Sequence, residues 1–183
     1  MSTTFPRARK SHTGYSVEQV EEFLEEARAA YTADRGSLGT VTAESIRTTA
    51  FAMEKGGYST KHVDAALERL EDAFAARERE RAFAEIGDAA WYAAARASAQ
   101  EILNRLARPA GQRFSRTGIL TDGYDPKAVD AFADRLVGYF QNGKPMSVEQ
   151  VRAVAFPSKK RGYNEGQVDL LLDSVINVML AVR

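Results

Sequence analysis

Residues 51–67 read FAMEKGGYSTKHVDAAL, and this stretch decides the fold. Phe51 stands six residues before the pair Gly57-Tyr58, and Val63 and Asp64 follow after four more. A glycine ahead of an aromatic suits a tight turn, with positive φ open to it. Ser59 is a helix N-cap type. Val63, Leu67, Leu70 and Phe74 then recur at helical spacing along one face. The stretch therefore predicts a turn feeding an amphipathic helix.

Working outward, the same signature occurs four times. Gly14-Tyr15 leads to Val20, Gly57-Tyr58 to Val63, Gly123-Tyr124 to Val129, and Gly162-Tyr163 to Val168. An acid follows each valine: Glu21, Asp64, Asp130 and Asp169. Phe5 and Phe114 precede their glycines by nine residues, Phe51 and Phe156 by six. Copies 1 and 3 thus share one spacing, copies 2 and 4 another, so the chain reads as a duplicated pair. The expected caps are Ser16, Ser59, Asp125 and Asn164, with Gln19 and Gln167 placed as capping-box partners and Pro126 at a first helical position. Gly36 and Gly143 are helix stops.

Copies 2 and 4 are each preceded by a short helix, capped by Thr42 or Ser147, the second ended by Pro157. Residues 77–81 alternate Arg and Glu as a solvated helix extension, and Gly87 breaks it. Asp88 caps an alanine-rich helix to about Ala107, with Trp91, Ala95, Ile102, Leu103 and Leu106 toward a core. Arg108 to Gly111 reads as a hinge. No segment alternates as a strand. The predicted fold is all-α, with tandemly duplicated helical units, about seven helices and no long coiled coil. The expected boundaries are 1–77 for the first pair, 78–111 for a helical connector and 112–183 for the second.

Composition narrows the chemistry. The 183 residues carry 25 Lys+Arg against 25 Asp+Glu, two histidines and no cysteine. A neutral chain lacks the global field that draws proteins to nucleic acid or anionic membranes, so such contact needs a local patch. Thiolate chemistry and cysteine zinc sites are excluded, and His12 and His62 offer little for a metal site or catalytic triad. Residues 1–10 lead into no apolar stretch, and no segment approaches a membrane span. A cytoplasmic protein is expected, peripheral at the inner face of the plasma membrane if it meets lipid.

The run from Ile46 through Phe51 and Gly57-Tyr58 to Val63-Asp64 and Leu67 resembles the N-terminal domain of DivIVA, the bacterial division-site and pole-targeting protein. That domain shows Phe, a short basic loop, Gly-Tyr, then Val-Asp-x-Phe-Leu opening a helix. Residues 151–172 resemble the same motif, and copies 1 and 3 carry three extra loop residues. The arrangement is similar to actinobacterial DivIVA-domain repeat proteins. The resemblance implies a non-enzymatic scaffold in cell division, polar growth or envelope organisation, working through protein contacts and without cofactors. It implies pairing of motifs, within one chain or between chains. Two departures stand out. The family's coiled coil is missing. So is its membrane-binding Phe-Arg before Gly-Tyr, where copy 2 has Lys55-Gly56 and copy 4 has Lys160-Arg161.

The four tyrosines are expected to pin their loops to the core, and Asp64, Asp130 and Asp169 to serve the helix dipole. Basic loops at Arg7, Arg9 and Lys10 and at Lys159, Lys160 and Arg161 are solvated turns or contacts for anionic headgroups or acidic partners. Ile119-Leu120 either folds back or forms an exposed apolar tip. Homo-oligomers fit this reading. The alternatives are a nucleic-acid adaptor, disfavoured by acidic Glu18, Glu21, Glu22, Glu25 and Glu26, and a small-molecule site between the halves.

Overall fold

The structure is a computed structural model that describes residues 5–9, 12–32 and 41–183. Lys10 and Gly36 lie outside the described residues. The chain divides into two compact units, Met1–Glu85 and Ile86–Arg183. Unit 1 runs β1 (Thr13–Tyr15), α1 (Val17–Thr32), α2 (Ala43–Thr48), β2 (Met53–Lys55) and α3 (Thr60–Ile86). Unit 2 runs α4 (Asp88–Leu106), β3 (Asp122–Tyr124), α5 (Pro126–Asn142), α6 (Val148–Arg152), β4 (Ser158–Lys160) and α7 (Glu165–Ala181). The chain is mostly helical, with seven helices among the described residues.

The repeat signature forms the core of each unit. In unit 1, Val20, Tyr58 and Val63 are fully buried, with Phe5, Tyr15, Leu24, Phe51 and Leu67 around them. In unit 2, Phe114, Val129, Tyr163 and Val168 make the same cluster, with Tyr124, Phe156, Leu171 and Leu172 against it. Each fully buried aliphatic side chain contributes about 1.5–3 kcal/mol through lost contact with water. A second cluster in unit 1 seats α2 through Ile46, against Ala27 and Phe74.

Short strands are the first difference from the sequence reading. β1 pairs antiparallel with β2, setting Gly14 opposite Glu54, and β3 pairs with β4, setting Gly123 opposite Lys159. Three residues are too few for alternation to register. Thr42 and Ser147 cap α2 and α6 in capping boxes, as expected. α6 stops at Arg152, five residues before Pro157. At α4 the N-cap is Gly87, at φ 81°, and Asp88 is the first helical residue.

The segment expected to be a connector is built into its neighbours. Residues 77–81 extend α3, but they are not simply solvated. Glu78 accepts the Ala43 N–H at the start of α2 (2.8 Å), and Arg77 stacks over the Tyr31 ring. α4 belongs to unit 2 and packs on α5 and α7. Trp91 donates its indole N–H to the Ala181 carbonyl (2.9 Å), while Ala95, Ile102 and Leu106 are buried. The Arg108–Gly111 turn is tied down rather than hinged. Arg113, itself buried, donates to the Leu106 carbonyl (3.0 Å), and Gly111 N donates to Asp130 Oδ2 (2.7 Å).

Candidate functional site

Each unit centres on a crossing of two Gly-Tyr motifs from the same chain. Tyr15 N donates to Tyr58 O (2.9 Å) and Tyr58 N returns to Tyr15 O (2.8 Å). Tyr124 and Tyr163 exchange the same pair of bonds at 3.1 and 2.8 Å. The glycines permit this approach. A Cβ on Gly14 would lie 2.2 Å from Tyr58 O, and one on Gly57 2.4 Å from Tyr15 O. Gly123 and Gly162 are equally confined by the opposing backbone. The positive φ expected at these glycines belongs instead to the residues before Gly57 and Gly162. Gly56 sits at φ 73° and Arg161 at φ 55°.

Side chains repeat the crossing. Each phenylalanine meets the ring of the opposing tyrosine: Phe5 with Tyr58, Phe51 with Tyr15, Phe114 with Tyr163 and Phe156 with Tyr124, all at 5.3–5.4 Å between centroids. Each tyrosine hydroxyl bonds the acid that follows the opposing valine. Tyr58 donates to Glu21, and Tyr163 to Asp130 at 3.0 Å. Tyr15 pairs with Asp64, and Tyr124 with Asp169. The acids thus serve opposing tyrosines, beyond the helix-dipole role expected of them. Burial first, and these carboxylates second, hold the Tyr15 and Tyr124 phenols above their ordinary values. Burial also raises Tyr163, with Asp130 adding to the rise and Arg113 and Arg116 opposing it. Asp169 is raised chiefly by burial.

A further rule governs the caps. The N-cap N–H of each copy donates to the residue after the opposing phenylalanine: Ser16 to Ala52, Ser59 to Pro6, Asp125 to Pro157 and Asn164 to Ser115, at 2.7–2.9 Å. The capping-box glutamines therefore find their caps' N–H groups already used. Gln19 Oε1 accepts from Ala52 N (2.8 Å) and Gln167 Oε1 from Ser115 N (3.0 Å). Where the opposing residue is proline, with no N–H to satisfy, His62 and Ala128 stand in place of glutamine.

Arg7 and Arg116 occupy matching positions. Each lies 4.9 Å over an opposing tyrosine ring, Tyr58 or Tyr163, and donates to the carbonyl of the positive-φ residue, Gly56 or Arg161. Arg7, expected at a contact surface, is thus a structural clamp. Arg113 escaped the sequence reading. Its guanidinium bonds the Asp130 carbonyl (2.8 Å) and Asp134 Oδ1 (2.6 Å). The one available signal was an arginine directly before Phe114 where copy 1 has Thr4 before Phe5.

The expected contact residues separate. Lys159 pairs with Asp125 (2.9 Å), and Lys160 pairs with Asp122 while donating to the Leu120 carbonyl (3.1 Å). The Lys159–Asp125 hydrogen bond holds that carboxyl below its ordinary value. Ile119 and Leu120 do not fold back; they are 71% and 88% exposed. Arg161 is exposed beside them, its N–H on Thr121 O (3.3 Å). Arg9 is also exposed. Among the described residues no helix is long and apolar enough to cross a membrane. Compared with known families, curated proteins and solved structures, the chain finds no match.

Proposed function

We propose that this chain is a non-enzymatic interaction module of the DivIVA type, presenting its loops to protein partners in cell division, polar growth or envelope organisation. The observation that carries the reading is the paired crossing. Two Gly-Tyr motifs lock together within one unit, and the same device is built twice. The tyrosine hydroxyls and the acids bind one another across each crossing, so their chemistry is spent on holding the loops. Fusing two copies in each unit does the work that pairing of separate chains does in the family.

Weak peripheral contact with an anionic membrane is a second reading, favoured by one edge of unit 2. There the exposed Ile119-Leu120 tip stands beside Lys160 and Arg161. Basic residues near an anionic surface contribute about 1 kcal/mol each. The scaffold reading is tested by following a fluorescent fusion in host cells. Enrichment at septa or poles is expected, and a uniform distribution with normal division on deletion contradicts it. Co-sedimentation with vesicles containing anionic lipid tests the second reading. Binding is expected to fall with Ile119→Ser/Leu120→Ser and with Lys160→Glu/Arg161→Glu. Equal, negligible binding by all three proteins leaves a role in protein contacts alone.

A further inference from the structure

The repeat makes α1 and α5 equivalent helices. Each follows a Gly-Tyr motif, and each buries the repeat valine, Val20 or Val129. Their outer faces can therefore be compared position by position. α1 presents Glu18, Glu22, Glu25 and Glu26, all exposed. The matching positions on α5 are Lys127, Ala131, Asp134 and Arg135, also exposed. Asp134 is committed to Arg113 of its own unit (2.6 Å). Elsewhere the acid has become a base, from Glu18 to Lys127 and from Glu26 to Arg135, or an alanine, from Glu22 to Ala131. The Arg135 guanidinium is steadied over the Phe132 ring (5.1 Å).

The reversal extends beyond these stripes. Glu54 stands at the start of α1, where it accepts the Val17 N–H (3.1 Å). Lys144 stands at the end of α5, its stem over Gly138. Residues 1–85 hold 12 Lys+Arg against 15 Asp+Glu, and residues 86–183 hold 13 against 10. The neutral chain thus joins an acidic unit to a basic one. The acidic stripe is also unfavourable in isolation. Glu18, Glu22 and Glu26 follow at four-residue steps, and like charges at that spacing repel. Only Glu18 lies in the first turn, where the helix dipole compensates. A cationic partner would relieve the rest.

We propose that the acidic face of α1 in one chain docks on the basic face of α5 in a second copy, head to tail. Set antiparallel, the helices bring Glu18 opposite Arg135 and Glu26 opposite Lys127. The two charges on each helix are eight residues apart, about 12 Å, so both pairs close together. Glu22 and Glu25 then face Ala131 and Ala128, and Asp134 faces Gln19, so no acid meets an acid. Glu54 and Lys144 fall at the same end of the contact. The antiparallel sense also sets opposite dipole ends side by side. Neither face suits its own copy, since acid would meet acid or base would meet base. The contact is therefore heterologous, and copies add in a row or close into a ring. The proposal does not rest on the DivIVA-type reading.

Exposed ion pairs are individually weak and screened by salt, so a dissociation constant on the order of 100 µM is expected at low ionic strength. Sedimentation velocity of the full chain in about 20 mM salt should show its mass rising past the dimer between about 10 and 500 µM, and about 0.5 M salt should return it to monomer. Glu18→Lys/Glu26→Lys and Lys127→Glu/Arg135→Glu alter exposed side chains. Each should keep the wild-type circular dichroism and stay monomeric. Mixed in equal amounts, the two should associate again, because every basic face then meets an acidic one. Glu85→Lys/Glu101→Lys makes the same change of charge at exposed positions on other helices, and it should still associate. A wild type monomeric throughout at low salt overturns the proposal. So does a mixture no more associated than its components, or a loss of association in the Glu85/Glu101 variant as well.

Discussion

Gly57 and Arg161 place opposite demands on the backbone. Gly57 is constrained by space, because its Cβ position is occupied by the Tyr15 carbonyl. Gly57→Ala is therefore expected to cost about 3 kcal/mol in urea unfolding, since backbone must move. Gly56→Ala meets no neighbour and strains only φ, so about 1 kcal/mol is expected. Arg161 is a side chain where its counterpart is Gly56, and Arg161→Gly should stabilise by about 0.5–1 kcal/mol. Tyr163→Phe leaves buried Asp130 short of a donor and should cost about 1–3 kcal/mol at neutral pH. The tyrosines also set an alkaline limit. Tyr15, Tyr124 and Tyr163 hold their protons more tightly folded than unfolded. Their contribution is complete below the unfolded value of about 10 and is lost as pH rises through the folded values. Unfolding free energy should decline above about pH 10, and less steeply for Tyr163→Phe.

At the scale of elements, the cap rule supplies a two-step test. Gln19→Ala strands the Ala52 N–H and should cost about 1 kcal/mol. Adding Ala52→Pro removes that donor, and the homologous Pro6 and Pro157 accept the same cap bond. The double variant should recover most of the loss in equilibrium unfolding; further loss would show that Gln19 acts otherwise. Much of this level was legible in the sequence. The helices, their caps at Thr42, Ser147, Asp125 and Asn164, and the buried Val20, Val63, Val129 and Val168 follow from spacing alone. The strands were not, because three-residue ladders carry no period. Nor were the partners of Tyr15, Asp64 and Gln19. Repetition shows that such residues recur, but their hydrogen bonds run to the opposing copy, at separations only folding reveals. The exchange of proline for glutamine across copies was in the sequence, and its meaning needed the crossing.

For the whole molecule, the division falls at Glu85 and Ile86 rather than around a separate connector. α4 covers α7 and α5, and Arg113 ties its end to Asp130 and Asp134. Residues 86–183 should therefore fold alone with a single cooperative transition. Residues 112–183, lacking α4 and with α7 uncovered, should lose that cooperativity and bind a hydrophobic dye. Two equally cooperative fragments would restore the connector to independence. The central claim is that the opposing motifs of each unit pair within one chain. Isotope-filtered NOE spectroscopy on an equal mixture of labelled and unlabelled chain tests it most directly. The account predicts that the Phe5–Tyr58 and Phe114–Tyr163 ring contacts appear in the unfiltered spectrum and vanish when only contacts between chains are selected. Their persistence in the interchain spectrum would contradict it.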